Sequence, residues 1–289
     1  MRRTLFFRAF GLIIASNVNI PGAIPLNDTT IGTQMPDVHI EQLCALDAEL
    51  MTRTHPYSRE GEQFLFCARG VALYRFIGDS RIIIEPAAHA VQTTIEALLI
   101  ATALPALLWI RGHIVLHAAA AILPGRERAV AIMGKSGIGK STVLDQLVIR
   151  GATVVADDSV CVAINGDHVT ISGLAAGYFI HEDTQSPRTL VRPPASQSAP
   201  QADLAALFIL ERRHDGRDPS FEKCIGAQKL EGLLNNRHRP GVLQVLGTEH
   251  LLLSKIATLA THIPIFAWHR MNGQVMLTSH ELEYLDNAA

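Results

Sequence analysis

The eight residues Gly134–Ser141 constrain this sequence more than any other stretch. They spell Gly-Lys-Ser-Gly-Ile-Gly-Lys-Ser and fit the pattern G-x-x-x-x-G-K-[ST]. The apolar run Ala129–Met133 precedes them, and a helix-forming segment that ends at Arg150 follows. Strand, glycine-rich loop and helix in this order are the context in which the pattern binds phosphate. The alternative is a glycine-rich turn that only caps a helix, and the flanking elements favour the phosphate loop.

Each residue type in this loop has a chemical purpose. Glycines adopt backbone angles closed to other residues, so successive amides can turn inward and bind an anion at the helix start. Lys140 would reach the β- and γ-phosphates of a nucleotide, and the Ser141 hydroxyl would bind Mg²⁺. We therefore predict ATP and Mg²⁺ as cofactors. The predicted nucleotide-binding residues are Gly134, Lys135, Ser136, Gly137, Ile138, Gly139, Lys140, Ser141 and Thr142.

Two adjacent carboxylates follow the next predicted strand. The β-branched run Ala152–Ala156 ends in Asp157 and Asp158. Carboxylates at a strand end beside a phosphate loop are placed to bind Mg²⁺ or to act as a catalytic base. The alternative for an Asp-Asp pair is a turn or a helix cap. His117, upstream of the loop, also has two interpretations: a buried core histidine, or a side chain near the γ-phosphate.

These motifs together resemble the C-terminal catalytic domain of HPr kinase/phosphorylase. That family combines a His before a β-hairpin, G-x-S-G-x-G-K-S, a helix, R-G and V-A-D-D. This chain has His117, the loop, Arg150-Gly151 and Val155–Asp158 in the same order. The resemblance covers about residues 113–174 and implies an α/β fold: a P-loop kinase domain of the HPr kinase and carboxykinase type, with a mixed sheet around the loop and a β-rich N-terminal region.

The resemblance also implies roles for the site residues. Asp157 would be the catalytic base that orients the acceptor hydroxyl, and His117 would lie near the γ-phosphate. Asp158 would support either the metal, together with Ser141, or the base. The chain departs from the family after the Asp pair, where Thr170 and Ser172 replace the Glu and Arg of the L-E-I-R-G-L signature. Because that signature is associated with the phosphorylase activity, we expect a kinase only.

The identity of the acceptor rests on resemblance. The chain looks most like the kinases encoded with lasso-peptide biosynthesis genes, which phosphorylate the C-terminal Ser of a precursor peptide. We therefore expect an ATP-dependent serine kinase whose partner is a precursor peptide or protein. Alternatives are an HPr-type protein Ser kinase, a small-molecule hydroxyl kinase and a nucleotide-binding regulator without turnover. A homo-oligomer is a further open alternative.

Composition sets the remaining expectations. The chain has 289 residues, 48% of them hydrophobic and 18% charged, with a net charge of −2, so it can bury a sizeable core. That charge gives no electrostatic reason to expect a nucleic acid or a membrane surface as a partner. The four cysteines form no metal-binding pattern, and we expect reduced thiols and a cytoplasmic location. The apolar run Ala97–Ile110 is too short for a membrane span and suits a buried helix.

We predict two domains, a β-rich region at residues 1–95 and a catalytic domain at 96–289. The first would give structure and contact a dimer partner or the substrate. Its first strand is predicted over Leu5–Ala15 and a long helix over Val91–Trp109. Residues 181–203 are predicted to be a mobile loop, where Arg188 and Arg192 either contact the substrate or belong to an exposed linker. Other predicted elements are strands at 38–41, 63–68, 70–76, 81–86, 114–123, 129–133, 204–210, 265–269 and 275–278, a hairpin over 160–172, and helices at 228–234 and 251–262.

Overall fold

The chain folds as a mixed α/β protein with several β-sheets. The computed structural model describes residues 3–27, 30, 32, 34–44, 55–180 and 189–289. Its contacts divide the chain into two compact units, Met1–His113 with Arg239–Leu252, and Ile114–His238 with Leu253–Ala289. This division differs from the predicted boundary after residue 95, because the long helix that follows packs within the first unit.

The first unit contains an eight-stranded sheet. Its order is β3-β1-β2-β4-β8-β7-β6-β5. The strands are β1 (Leu5–Ala9), β2 (Leu12–Ser16), β3 (Ile24–Leu26), β4 (Val38–Gln42), β5 (Tyr57–Glu60), β6 (Gln63–Ala68), β7 (Ala72–Ile77) and β8 (Arg81–Pro86). The single strand predicted over Leu5–Ala15 is wrong. Phe10 and Gly11, with φ of 54° and 74°, make a two-residue turn that pairs β1 with β2 as a hairpin.

One long apolar helix belongs to this unit. It runs as α1 (Gln92–Leu98), a π-helical segment (Leu99–Ala103) and α2 (Leu104–Ile110). By length and composition it could cross a membrane, but 61% of its most apolar window is buried inside the protein, as in a core helix. The Tyr74 hydroxyl of β7 donates a hydrogen bond to the Ile95 carbonyl oxygen, which ties the helix to the sheet. The short helix α5 (Gly241–Leu246) completes the unit.

The second unit is built on a nine-stranded mixed sheet. Its main order is β12-β10-β11-β17-β14-β13-β9, with β19 pairing β17 and β18 pairing β19. The strands are β9 (Ile114–Leu116), β10 (Ala118–Ile122), β11 (Ala129–Met133), β12 (Thr153–Ala156), β13 (Val160–Asn165), β14 (His168–Ser172), β17 (Gln201–Arg213), β18 (Ser220–Lys223) and β19 (Ile265–Met271). A separate hairpin joins β15 (Tyr178–Ile180) and β16 (Thr189–Val191). The helices are α3 (Lys140–Ile149), α4 (Ala227–Asn235), α6 (Glu249–His262), which begins in the first unit, and α7 (Ser279–Ala288).

Strand directions bring the predicted functional segments to one edge of this sheet. Strands β17 and β19 run parallel to β11, and β12 has the same direction because both it and β11 are antiparallel to β10. The carboxyl ends of these four strands therefore meet at one edge, where open α/β sheets bind their ligands. The glycine-rich loop leaves β11 at this edge, and Asp157 follows β12 there.

Two predicted strands of this unit are wrong in detail. The strand expected over residues 114–123 breaks at His117, whose amide donates instead to the Asn236 carbonyl oxygen at 2.7 Å. The strand expected over 275–278 does not form, since Thr278 caps α7 and shares a capping box with Glu281. Of the predicted loop at 181–203, residues 181–188, and with them Arg188, lie outside the described residues, while Arg192 is exposed just after β16.

Candidate nucleotide and phosphoryl-transfer site

The strand, loop and helix predicted around Gly134 are present. The loop leaves β11 after Met133 and enters α3 at Lys140. Gly134, Gly137 and Gly139 have φ of 152°, 76° and 108°, in the region that favours glycine. These angles let the backbone curl around the start of α3, where unpaired amides and the helix dipole favour an anion.

Lys140 lies inside this loop. Its side chain is buried, and Nζ donates to the carbonyl oxygens of Gly134 at 2.8 Å and Lys135 at 3.1 Å. A buried ammonium needs such partners, because desolvating an unpaired charge is expensive. The amine is therefore held in the concavity of the loop, within reach of an anion placed there.

Ser141 and Asp157 form the second contact of the site. The Ser141 hydroxyl on the first turn of α3 donates to Oδ1 of Asp157 at 2.9 Å. The other carboxylate oxygen, Oδ2, accepts from the Phe179 amide at 2.9 Å. Burial raises the pKa of Asp157 above its usual value and the charge of Asp158 adds to this, while the bonds from Phe179 and Ser141 oppose it.

Asp158 points away from this contact toward two histidines. Its φ of 64° lies in the left-handed region, and the Ser159 amide donates across it to the Asp157 carbonyl oxygen at 2.7 Å, which closes a tight three-residue turn. Oδ1 lies 3.4 Å from Nε2 of His117, and Oδ2 lies 3.7 Å from Nε2 of His238. The two carboxylates that are adjacent in sequence therefore face different partners.

His238 is a site residue that sequence reasoning missed. Its ring is buried, stacks on that of His117 with centroids 5.2 Å apart, and places Nδ1 2.7 Å from the Ser159 hydroxyl. Residues 236–238 pair with β9, through the His117 amide to Asn236 and the His238 amide to Val115. His238 follows Asp158 by 80 positions in the sequence, and no local pattern marks it.

The residues fit Mg²⁺ held together with a nucleotide. Among the residues the structure describes, no three His, Cys, Asp or Glu side chains are placed to hold a metal ion by themselves. Mg²⁺ is commonly bound by one or two protein oxygens, with phosphate oxygens and waters completing its shell. The Ser141 hydroxyl and the Asp157 carboxylate provide such a pair at the end of the loop.

A cleft opens beside the loop within the same unit. Its volume is about 940 Å³, and its lining includes Lys135, Ile138, Glu211, Arg212 and His269. Ligand pockets commonly have volumes of about 300–1,000 Å³. The cleft is large enough for a nucleotide or for part of an acceptor.

Comparisons with known proteins add little to this geometry. No family model matches the chain, and no curated protein matches it. Among solved structures, the chain aligns with the HPr(Ser) kinase/phosphatase from Coxiella burnetii at 16% identity and a TM-score of 0.35, over 60% of this chain and 93% of that one. Those values establish neither a shared fold nor a shared activity, so we base the proposed function on the site residues.

Proposed function

We propose that this protein is an ATP-dependent kinase that transfers the γ-phosphoryl group to a hydroxyl. The observation that carries the proposal is the 2.9 Å contact between the Ser141 hydroxyl and the Asp157 carboxylate. It joins the end of a glycine-rich loop to an acidic strand end, which is the arrangement that nucleoside triphosphatases use to hold a metal–nucleotide complex. The buried amine of Lys140 inside the same loop supports this function.

The loop binds the triphosphate. Its amides and those at the start of α3 donate hydrogen bonds to the phosphate oxygens, and Lys140 exchanges the carbonyl oxygens of Gly134 and Lys135 for phosphate oxygens. Mg²⁺, when bound, screens the negative charge that develops on the phosphates. Ser141 and Asp157 are the residues that would hold it.

Asp158 and His117 act on the acceptor. The acceptor oxygen forms a bond to the γ-phosphorus while the bond from that phosphorus to the bridging oxygen breaks, and ADP leaves. Asp158 orients the hydroxyl and accepts its proton, and His117, 3.4 Å away, fixes the carboxylate. This proposal reverses the roles predicted for the two carboxylates, because Asp157 is buried against Ser141 while Asp158 is partly exposed.

For the acceptor we propose a seryl hydroxyl of a peptide. The resemblance to the lasso-peptide precursor kinases makes the C-terminal Ser of such a precursor the first candidate. The replacements at Thr170 and Ser172 support a kinase without phosphorylase activity. An ATP-dependent enzyme of this kind would work in the cytoplasm.

The test uses intact-mass spectrometry. The protein is incubated with ATP, Mg²⁺ and, in separate reactions, a precursor peptide ending in Ser, the same peptide ending in Ala, and HPr. We expect a gain of about 80 daltons, one phosphoryl group, on the Ser peptide alone. Phosphorylation of HPr alone would show that the acceptor is the HPr protein and not a precursor peptide. ATP binding without transfer to these acceptors or to small hydroxyl compounds would instead favour a nucleotide-binding regulator.

A further inference from the structure

Strand β17 carries an arginine to the phosphate loop from outside the sequence motif. Nε of Arg212 donates to the Ile138 carbonyl oxygen at 3.0 Å. Its Nη1 donates to the carbonyl oxygens of Met271 and Gln274 at 2.9 and 3.0 Å. The guanidinium therefore bridges the glycine-rich loop and the segment that follows β19.

Gly139 shows how closely this guanidinium approaches the loop. A Cβ atom at Gly139 would lie 2.6 Å from Nη2 of Arg212. The φ of 108° at this residue already favours glycine, and a side chain here would have to displace the guanidinium. Since α3 begins at the next residue, the cation lies at the end of the helix where phosphates bind.

Within the described part of the chain, no carboxylate forms an ion pair with Arg212. Its described hydrogen bonds all go to backbone carbonyl oxygens, and within the described part of the chain no carboxylate lies within 4.0 Å of it. The nearby Arg270 already takes the buried carboxylate of Glu281, with Nε to Oε1 at 2.7 Å, and its Nη1 is buried without a partner. Burial and then repulsion from Arg270 lower the pKa of Arg212, while the charge of Glu281 opposes this shift. The Glu281 carboxylate therefore offsets the charge of Arg212 only in part, because its ion pair is with Arg270.

We propose that Arg212 is a phosphate-binding residue whose partly neutralised charge balances the phosphates of a nucleoside polyphosphate on the loop. The inference rests on the proposed function and adds a second cation to Lys140. The alternative is a purely structural role, in which Arg212 only fixes the position of the Ile138 carbonyl group. That structural role needs the planar guanidinium of arginine, whereas charge balance needs only a positive charge.

The experiment measures binding by calorimetry for Arg212→Gln, Arg212→Lys and the control Arg213→Gln, with ATP, ADP and adenosine as ligands. Arg213 is a matched control because it is next in the same strand, points to the opposite face and pairs with Glu222. We expect Arg212→Gln to weaken ATP and ADP binding about tenfold or more, the size of one charge-assisted hydrogen bond, and to leave adenosine unchanged. Arg212→Lys should retain most of the affinity, and Arg213→Gln all of it.

Two results would overturn the inference. One is wild-type affinity for ATP in Arg212→Gln. The other is an equal loss of affinity for ATP and for adenosine in both Arg212 variants, together with a lower melting temperature, as expected if Arg212 has only a structural role. If the wild-type protein phosphorylates an acceptor while Arg212→Gln binds ATP normally, only this inference fails. If the wild-type protein binds ATP but transfers no phosphoryl group, and Arg212→Gln binds ATP more weakly, the inference stands and the kinase proposal fails.

Discussion

The imidazole rings of His117 and His238 stack 5.2 Å apart with an angle of 18° between their planes, and both present Nε2 to the carboxylate of Asp158. Neither histidine is near the other in sequence. Their pairing depends on β9 and on the segment 236–238 that runs beside it. The arrangement gives the proposed base two neighbours that can fix its orientation.

His238 should act through Asp158 and Ser159 as a positioning residue. His238→Ala and Ser159→Ala should each lower kcat and leave ATP affinity unchanged, because both remove the 2.7 Å contact that holds the ring. The loss in kcat of the double variant, expressed as a free energy, should be smaller than the sum of the losses of the two single variants. The difference should be about 0.5–3 kcal/mol, as for residues in one hydrogen-bond network. Steady-state kinetics on the double-mutant cycle measures this. His214→Ala, an exposed histidine, is the control, and additive effects would contradict the network.

The two carboxylates should give opposite phenotypes. Asp158→Asn should lower kcat by about 10²–10⁴, the range for general acid–base groups, with nucleotide affinity little changed. Asp157→Asn should weaken Mg²⁺-dependent nucleotide binding, because it changes the carboxylate bonded to Ser141. Calorimetry and phosphopeptide formation on the same preparations separate the two. Exchange of the phenotypes would restore Asp157 as the base.

Lys140→Ala should remove ATP binding while the fold survives. The described hydrogen bonds of the amine go to two loop carbonyl oxygens, and a bond to a charged group is worth about 1.5–3 kcal/mol, so the loss of stability should be limited to the cost of a few such bonds. Calorimetry with ATP and thermal melting monitored by circular dichroism are the measurements. The control is Lys223→Ala, at an exposed position on β18. Normal phosphorylation by Lys140→Ala would show that the loop does not bind the transferred phosphate.

Glu281→Gln should destabilise the protein. Glu281 and Arg270 are both fully buried, and the same carboxylate accepts from Trp268 and caps α7. Removing one partner of a buried ion pair leaves an uncompensated charge and costs about 3–5 kcal/mol. Urea unfolding measures the loss, and Glu283→Gln, on the exposed face of the same helix, should change little. A loss as small as that of Glu283→Gln would mean that the pair contributes nothing net.

The ion pair formed by Arg126 and Asp286 should make a pH-dependent contribution to the free energy of unfolding. The hydrogen bond from Arg126 and its charge lower the pKa of Asp286 below the ordinary 3.8. The contribution is therefore fully present above pH 3.8 and is lost as the pH falls through the lowered value. The difference in urea midpoint between wild type and Arg126→Gln should be small at neutral pH, since the pair is exposed, and should vanish in acid. If the difference in urea midpoint grew in acid, the predicted direction of the pH dependence would be wrong.

Local patterns predicted the strand, loop and helix around Gly134, and long-range pairing determined which other residues lie near them. The strand before Gly134 and the helix after it depend on residues within about one turn or strand, so the sequence indicates them directly. Arg212 was hidden because the predicted strand ended with the apolar residues at Leu210. Strand β17 continues to Arg213 because its polar end pairs with β19. His238 was hidden because its position depends on pairing with β9.

Strand β17 also determines when the site can be assembled during synthesis. It pairs with β11 on one side and with β14 and β19 on the other, so its partners span residues 129–271. The phosphate loop is encoded near the middle of the chain, yet Arg212 is held by carbonyl oxygens of Met271 and Gln274. A nascent chain on the ribosome therefore exposes the complete loop sequence long before the carbonyl oxygens that hold Arg212 are synthesised. The pairing of β17 with β19 and the contacts of Arg212 should therefore be completed only after residue 274 has left the exit tunnel.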